Sequence, residues 1–210
     1  MIQEINPKDT KRAAAFELWM QSPMPMVTIT KTFDVSRLRK ISYKRNLSFN
    51  AVMCYFIGKA ASGVEEFYML PKGDKFLKYD KLGINVIVKN SNEGICSCDI
   101  PFDDDIDKFL SKYDRLTTKA IQTSQSIFDE SRMIIGTSAL PDCEIDSVVN
   151  QYCLQWANPI LIWGKYRKGL FKTILPVSFQ FHHVQMDGGE ACRFLNELQY
   201  TINDISKSNY

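Results

Sequence analysis

The sequence predicts an α+β (α/β) two-layer sandwich, in which a mixed, largely antiparallel sheet is flanked by helices. Apolar residues recur at helical spacing in three segments, and strand-like apolar runs fill most of the chain from Arg132 to His183. Helix and strand signals interleave in an order that is typical of such a sandwich. The chain has no internal repeat and no run rich in Pro, Gly and Ser, so residues 1–210 are expected to form a single domain.

Three amphipathic helices are predicted. The first follows Ser48, a good N-cap, and stops at Gly63; its apolar positions are Phe49, Val52, Phe56, Ile57 and Ala60. The second opens with three aspartates at 103–105, whose charge suits the positive end of a helix. Its apolar stripe comprises Ile106, Phe109, Leu110, Tyr113, Leu116, Ala120 and Ile121. The third begins just after Gly188 and Gly189, with Ala191, Phe194, Leu195, Leu198, Ile202 and Ile205 as its apolar positions.

The strands are predicted from apolar runs between turn signals. The turn Lys72-Gly73-Asp74 separates two such runs and predicts a hairpin, and GINVIVKN at 83–90 is typical of a further strand. From Arg132 onward four segments have strand character: RMIIGTS, CEIDSVV, PILIWGKY and FKTILPVSFQFHH. Lys168-Gly169 is expected to turn the last two back on each other.

Composition excludes several classes of function. Twenty-six basic and 24 acidic side chains leave a net charge of +2, which favours neither nucleic acid nor an anionic membrane as a partner. The N-terminal region has no apolar core of a signal peptide and no window is apolar enough to span a membrane, so a soluble cytoplasmic protein is expected. Six cysteines without a C-x-x-C pair and only two histidines predict free, buried thiols and no metal site.

The motif HHVQMDG carries the clearest chemical signal. His182 and His183 end a predicted strand, and alternation along a strand sends their imidazoles to opposite faces, so at most one can serve a given cleft. An imidazole can accept a proton from a hydroxyl group near neutral pH and return it later. Asp187 and Gly188 follow within the same seven residues and predict a braced turn that glycine permits. A histidine at the end of a strand is often structural, but this combination favours catalysis.

The sequence HHVQMDGGEACRFLNELQ, with NPILIWGKY and ILPVSFQF before it, resembles the C-terminal third of the chloramphenicol acetyltransferase family. The N-terminal stretch containing Arg12, Phe16, Gln21 and Ser22 is similar to the opening segment of that family. Ser138-Ala139-Leu140-Pro141 is similar to its Ser-Ala-Asn-Pro stretch. HHxxxDG alone also occurs in condensation domains, plant acyltransferases and, in modified form, dihydrolipoyl acyltransferases, but the flanking matches favour the first family.

The resemblance implies an O-acetyltransferase that depends on acetyl-coenzyme A, an activity that confers antibiotic resistance in this family. It also implies a homotrimer with active sites at the subunit interfaces. His183 would be the general base, and Ser138 would donate a hydrogen bond to the oxyanion of the tetrahedral intermediate. Asp187 would pair with Arg12 and hold the loop. Tyr166 and Lys165 would contact the adenine and the phosphates of acetyl-coenzyme A, the expected co-substrate.

The predicted acceptor pocket departs most from the family. The resemblance places Trp19, Met24, Met26 and Ile162 around the small-molecule acceptor. Ile162 stands where drug-modifying members carry a threonine, and the methionines accommodate varied shapes. Three hypotheses therefore stay open: acetylation of chloramphenicol or a related molecule, transfer of another acyl group or to an unrelated acceptor, and a non-catalytic trimeric scaffold.

Overall fold

A computed structural model describes residues 2–153 and 155–204 of the chain. The helices are α1 (Ala13–Trp19), α2 (Ser36–Lys44), α3 (Phe49–Ser62), α4 (Ile106–Thr123) and α5 (Gly188–Asp204). The strands are β1 (Gln3–Ile5), β2 (Met26–Asp34), β3 (Met69–Lys72), β4 (Lys75–Lys78), β5 (Leu82–Lys89), β6 (Ile95–Pro101), β7 (Met133–Leu140), β8 (Ile160–Gly164), β9 (Arg167–Lys168) and β10 (Thr173–His182). No helix among these residues is both long and apolar enough to cross a membrane.

The main sheet is mixed, as predicted. Its strands lie in the order β2-β10-β8-β7-β5-β6, and the short β9 pairs with β10. β10 is antiparallel to both β2 and β8, whereas β7 is parallel to β8 and to β5. The carboxyl end of β10, which carries the histidines, therefore lies at the same edge of the sheet as the amino ends of β7 and β8.

A second, three-stranded sheet has the order β1-β4-β3. The predicted hairpin is confirmed: β3 and β4 are antiparallel and Gly73 adopts a φ of +62° in the tight turn between them. This positive φ is one that most side chains disfavour, which explains the glycine. Phe16 of α1 packs edge-on against Phe76 of β4, with ring centroids 5.2 Å apart, so this small sheet supports the N-terminal helix.

The predicted helices are confirmed, with small changes. The Ser48 side chain accepts a hydrogen bond from Ala51 N–H at the start of α3, and Asp105 accepts from Asp107 and Lys108 N–H at the start of α4. Ile121, predicted in the apolar stripe of α4, is 37% exposed. α5 begins at Gly188, two residues earlier than predicted, and Ile205 lies outside the described residues.

One predicted strand is wrong. The segment 143–149 (CEIDSVV) forms no strand. It crosses the face of the sheet that the helices leave open, where Val148 N–H donates to Ser178 Oγ and Lys165 N–H donates to the Cys143 carbonyl. Since β8 already has β7 and β10 as neighbours, this segment satisfies its polar groups by single contacts and not by a ladder.

The two faces of the sheet differ in what covers them. Val177, Phe179 and Phe181 of β10 belong to the hydrophobic core, and Phe179 contacts Phe194 of α5 at a centroid distance of 4.9 Å. Ser178 and Gln180 point the other way, toward residues 148–150. One face of the sheet therefore packs on helices, while the other carries polar side chains beneath an irregular segment.

The cysteines are free, as predicted, but only half of them are buried. Cys54, Cys96 and Cys98 lie in the core, and Cys96 and Cys98 share one face of β6. Cys143, Cys153 and Cys192 are exposed, which corrects the expectation of buried thiols. The reason is their location: the first two lie outside helices and strands, between β7 and β8, and the third lies on the outer face of α5.

Candidate active site

Arg12 clamps the HHVQMDG loop. Its Nη1 and Nη2 donate to the two carboxylate oxygens of Asp187 at 2.6 and 2.8 Å. Nη2 also donates to the carbonyl of His183 at 2.5 Å, and Nε to the carbonyl of Val184 at 3.0 Å. Because the guanidinium is planar, this two-pronged pairing fixes both the carboxylate and the turn of the backbone at His183. The contact between Arg12 and Asp187 that the resemblance implied is present.

His183 lies at the centre of this arrangement. Its imidazole stacks on the indole of Trp19, with centroids 4.9 Å apart and planes inclined by 7°. Its Nδ1 is buried and lies 3.1 Å from Asp187 Oδ1, but the geometry of this contact is not that of a hydrogen bond. About a third of the side chain, 31%, is exposed. With Nδ1 shielded, Nε2 is the nitrogen that can meet a substrate.

His182 has a different environment. It is 2% exposed, and its Nδ1 accepts a hydrogen bond of 3.1 Å from Val184 N–H. Burial, with a smaller effect of the neighbouring His183, lowers the pKa of His182 from 6.5 to about 4. The two imidazoles therefore separate as strand alternation predicts, with one locked in the interior and one accessible.

The carboxylate of Asp187 is kept charged. Hydrogen bonding from Arg12 lowers the pKa of Asp187 below its usual value of 3.8. Glu190 accepts a hydrogen bond from the backbone N–H of Asp187 at 3.0 Å, as in half of a capping box. This bond ties Asp187 to the first turn of α5, while both Asp187 oxygens accept from Arg12.

Gly188 does not have the role predicted from the sequence. It is the first residue of α5, its φ is not in the left-handed region, and a Cβ placed on it would meet no atom within 4 Å. The motif therefore turns without a conformation that requires glycine here. The start of α5 beside the histidines is instead an open surface of the chain.

The structure does not bring Ser138 to His183 within one chain. Ser138 on β7 pairs with Ile162 on β8, which pairs with Ser178 on β10, five residues before His183. Ser138 and His183 are separated by two inter-strand spacings across the sheet and by five residues along the strand direction. These two components place their Cα atoms roughly 19 Å apart. No single carbonyl group can contact both side chains of the same chain.

The residues expected to bind the coenzyme lie at the end of β8. Lys165 is exposed, while the half-buried Tyr166 ring packs 5.0 Å from that of Phe49 at the start of α3. The Arg39 guanidinium lies 5.9 Å from the Tyr166 ring. Gly164 allows the 143–145 segment to approach, since a Cβ there would lie 2.4 Å from the Cys143 carbonyl oxygen. The cluster thus combines an aromatic surface with two cations.

The four residues expected around the acceptor do not form one pocket in a single chain. Met26 lines a cavity on the open face of the sheet, and Ile162 is buried beside Ser138. Trp19 lies against His183, and Met24 is 52% exposed. Met26 pairs with His182 and, like Trp19, lies near the histidine loop, whereas Ile162 lies beside Ser138.

Sequence reasoning missed two contributors. Gln185 is 1% exposed, and its Nε2 donates to the carbonyls of Glu66 and Met69 at 3.1 and 2.8 Å, which ties the histidine loop to the small sheet. Arg39 approaches Tyr166 from α2, a helix that was not predicted. A polar residue inside the motif could have drawn attention to Gln185, whereas no local pattern connects Arg39 to Tyr166.

Comparisons with known proteins show the family and the fold of this chain. Residues 2–199 match the family described as chloramphenicol acetyltransferase. Chloramphenicol acetyltransferase 3 of Escherichia coli is 28% identical over 95% of this chain and 96% of its own length. A solved chloramphenicol acetyltransferase structure superposes with a TM-score of 0.83 at 21% identity, covering 96% of this chain and all of the other. A probable dihydrolipoamide acetyltransferase from Listeria monocytogenes has a TM-score of 0.71 at 15% identity, covering 96% and 95%.

Proposed function

This chain belongs to the chloramphenicol acetyltransferase family, and we propose that it transfers an acetyl group from acetyl-coenzyme A to a hydroxyl of a small molecule. The observation that carries the proposal is the environment of His183. An accessible imidazole is stacked on Trp19, its shielded nitrogen lies beside Asp187, and Arg12 holds both the carboxylate and the backbone. Such a histidine is suited to accept and return one proton.

In the proposed reaction, His183 Nε2 takes the proton of the acceptor hydroxyl as its oxygen attacks the thioester carbonyl. The C–O bond forms and the carbonyl becomes an oxyanion, which a serine hydroxyl stabilises. Collapse of this intermediate breaks the C–S bond, and the departing thiolate receives the proton from the His183 imidazolium. The nearby Asp187 carboxylate, 3.1 Å from Nδ1, stabilises the imidazolium while it exists.

Ser138 is the proposed donor to the oxyanion, and it must come from another copy of the chain. The roughly 19 Å between the two Cα atoms of one chain supports this assignment, because a contact of about 3 Å to the same oxyanion is required. We therefore propose a homotrimer whose active sites combine His183 of one protomer with Ser138 of the next. This arrangement also accounts for the separation of Trp19 from Ile162.

Tyr166, Lys165 and Arg39 are the proposed contacts for acetyl-coenzyme A. The half-buried Tyr166 ring offers an apolar surface to the adenine, while Lys165 and Arg39 supply positive charge for phosphates. Lys165 and Tyr166 directly follow β8, whose last residue, Gly164, lies two residues beyond Ile162. Ile162 is the strand partner of Ser138. The coenzyme would thus approach the same group of residues that supplies the oxyanion donor.

The test is thiol release from acetyl-coenzyme A in the presence of hydroxylated acceptors, chloramphenicol among them. The wild-type protein is expected to release thiol only with an acceptor, and His183→Ala to lose this activity by about 10²–10⁴-fold. Added imidazole should restore part of the activity of His183→Ala, because it can occupy the space and act as the base. Acceptor-dependent release by His183→Ala at the wild-type rate would contradict the proposal.

A further inference from the structure

A cavity of about 380 Å³ lies on the open face of the main sheet. That volume lies in the range of small-molecule sites, about 300–1,000 Å³. Its apolar walls include Met26, Ile134 and Trp156, and Gly136 also lines it. Met26 pairs with His182 across the β2–β10 ladder, so the cavity reaches the edge of the sheet where the histidine motif begins.

A polar cluster on β5 and β6 forms one side of this cavity. Asn85 and Ser97 line it, and Asn85 Nδ2 donates to Ser97 Oγ at 2.7 Å and to Asp99 Oδ1 at 2.6 Å. Asp99 lies behind them and is 5% exposed; its second oxygen accepts from Asp129 N–H at 2.8 Å. Burial raises the pKa of Asp99, and within residues 2–153 and 155–204 no lysine or arginine pairs with it.

The direction of these hydrogen bonds decides what the cavity offers to a ligand. A carboxylate only accepts, so the Asn85 amide nitrogen must face Asp99. Both of its hydrogens are then used, which leaves Asn85 Oδ1 as an acceptor without a partner among the described residues. With an unpaired carboxylate behind it, this side of the cavity attracts hydrogen-bond donors and positive charge. It disfavours groups such as a nitro group, which present only acceptor oxygens.

We propose that this cavity receives the non-reacting end of the acceptor, and that Asn85, held by Ser97 and Asp99, selects acceptors whose end carries an ammonium or hydroxyl group. The inference rests on the proposed function and narrows its substrate class. The preferred acceptor is then an amino alcohol or a polyol, and a neutral nitroaromatic such as chloramphenicol is a poorer substrate.

Two matched acceptors test the proposal: chloramphenicol and its analogue with an aminomethyl group in place of the nitro group. The wild type should prefer the aminomethyl compound by at least about tenfold in kcat/KM, the effect of one charge-assisted hydrogen bond. Asn85→Leu should abolish the preference, and Ser97→Ala, which removes only the oxygen that positions Asn85, should reduce it. Asn92→Leu, an exposed position on the β5–β6 turn, is the matched control and should keep it.

Calorimetric binding of both compounds without acetyl-coenzyme A separates this inference from the proposed function. Tighter binding of the aminomethyl compound that is lost in Asn85→Leu supports the inference even if no acetyl transfer occurs, and only the proposed function then fails. The inference is overturned if neither compound binds or if both bind equally. It is also overturned if the preference survives in Asn85→Leu and Ser97→Ala. If Asn85→Leu does not fold, the result for Ser97→Ala decides.

Discussion

Trp19 lies face to face with His183, its indole and the imidazole inclined by only 7° at a centroid distance of 4.9 Å. The indole closes one side of the imidazole, while Arg12 and Asp187 hold the loop that carries it. The orientation of the proposed base therefore depends on the docking of α1, an element far from the histidines in sequence.

Replacement of Trp19 tests this dependence. Trp19→Ala is expected to lower kcat for acyl transfer by about 10-fold or more, since the imidazole loses the surface that orients it. Trp19→Phe retains a stacking ring and should keep most of the activity. Leu18→Ala, at a 66% exposed neighbour on the same helix, is the control. An unchanged kcat in Trp19→Ala would show that the stack does not position the base.

The Arg12–Asp187 pair is expected to contribute to both stability and rate. Arg12→Ala removes four hydrogen bonds to the loop and should lower the free energy of unfolding by about 1–3 kcal/mol, a range that allows for the half-exposed Asp187. Arg12→Lys keeps the charge but not the planar fork, and should restore stability better than activity. Urea unfolding and initial rates on the three proteins measure the two effects. Equal recovery of both by Arg12→Lys would contradict a role in fixing loop geometry.

Burial of His182 predicts a specific loss of stability in acid. Its pKa falls from 6.5 to about 4 on folding, so between these values the unfolded chain binds a proton that the folded chain does not. The contribution of His182 is then most favourable above pH 6.5, and about 3 kcal/mol is lost as the pH falls from 6.5 to 4. His182→Asn can still accept from Val184 N–H and should show a shallower pH dependence of unfolding in this window. Parallel curves for the two proteins would contradict the burial of a neutral imidazole.

Gly164 is expected to tolerate no side chain. Gly164→Ala would place a methyl group 2.4 Å from the Cys143 carbonyl oxygen and should destabilise the fold by about 1–3 kcal/mol. Because Lys165 and Tyr166 follow directly, KM for acetyl-coenzyme A should rise more than KM for the acceptor. Gly189→Ala, where an added Cβ meets nothing within 4 Å, is the control for stability. A rise confined to KM for the acceptor would contradict the assignment of this end of β8 to the coenzyme.

The sequence predicts the main helices, most strands and the HHVQMDG loop because their signals are local: apolar spacing, a capping serine and turn glycines. It does not predict the 143–149 segment, whose alternating pattern is typical of a strand although the segment crosses the face of the sheet and makes only single contacts there. The Trp19–His183 stack and the Asn85–Ser97–Asp99 cluster were also missed, because both join segments that only the tertiary fold brings together. The separation of Ser138 from His183 likewise follows from the order and register of the strands.

The most direct test of the proposed shared site is complementation between His183→Ala and Ser138→Ala. On its own, Ser138→Ala should lower the rate of acyl transfer by about 10²–10³-fold. Mixed trimers, obtained by co-expression with two affinity tags, should recover activity, because about one in three interface sites of a cyclic mixed trimer pairs an intact His183 with an intact Ser138. This recovery in thiol release is the predicted result. Activity in the mixed oligomer that stays at the sum of the two variants would show that both residues serve the same site within one chain, or that one of them serves none.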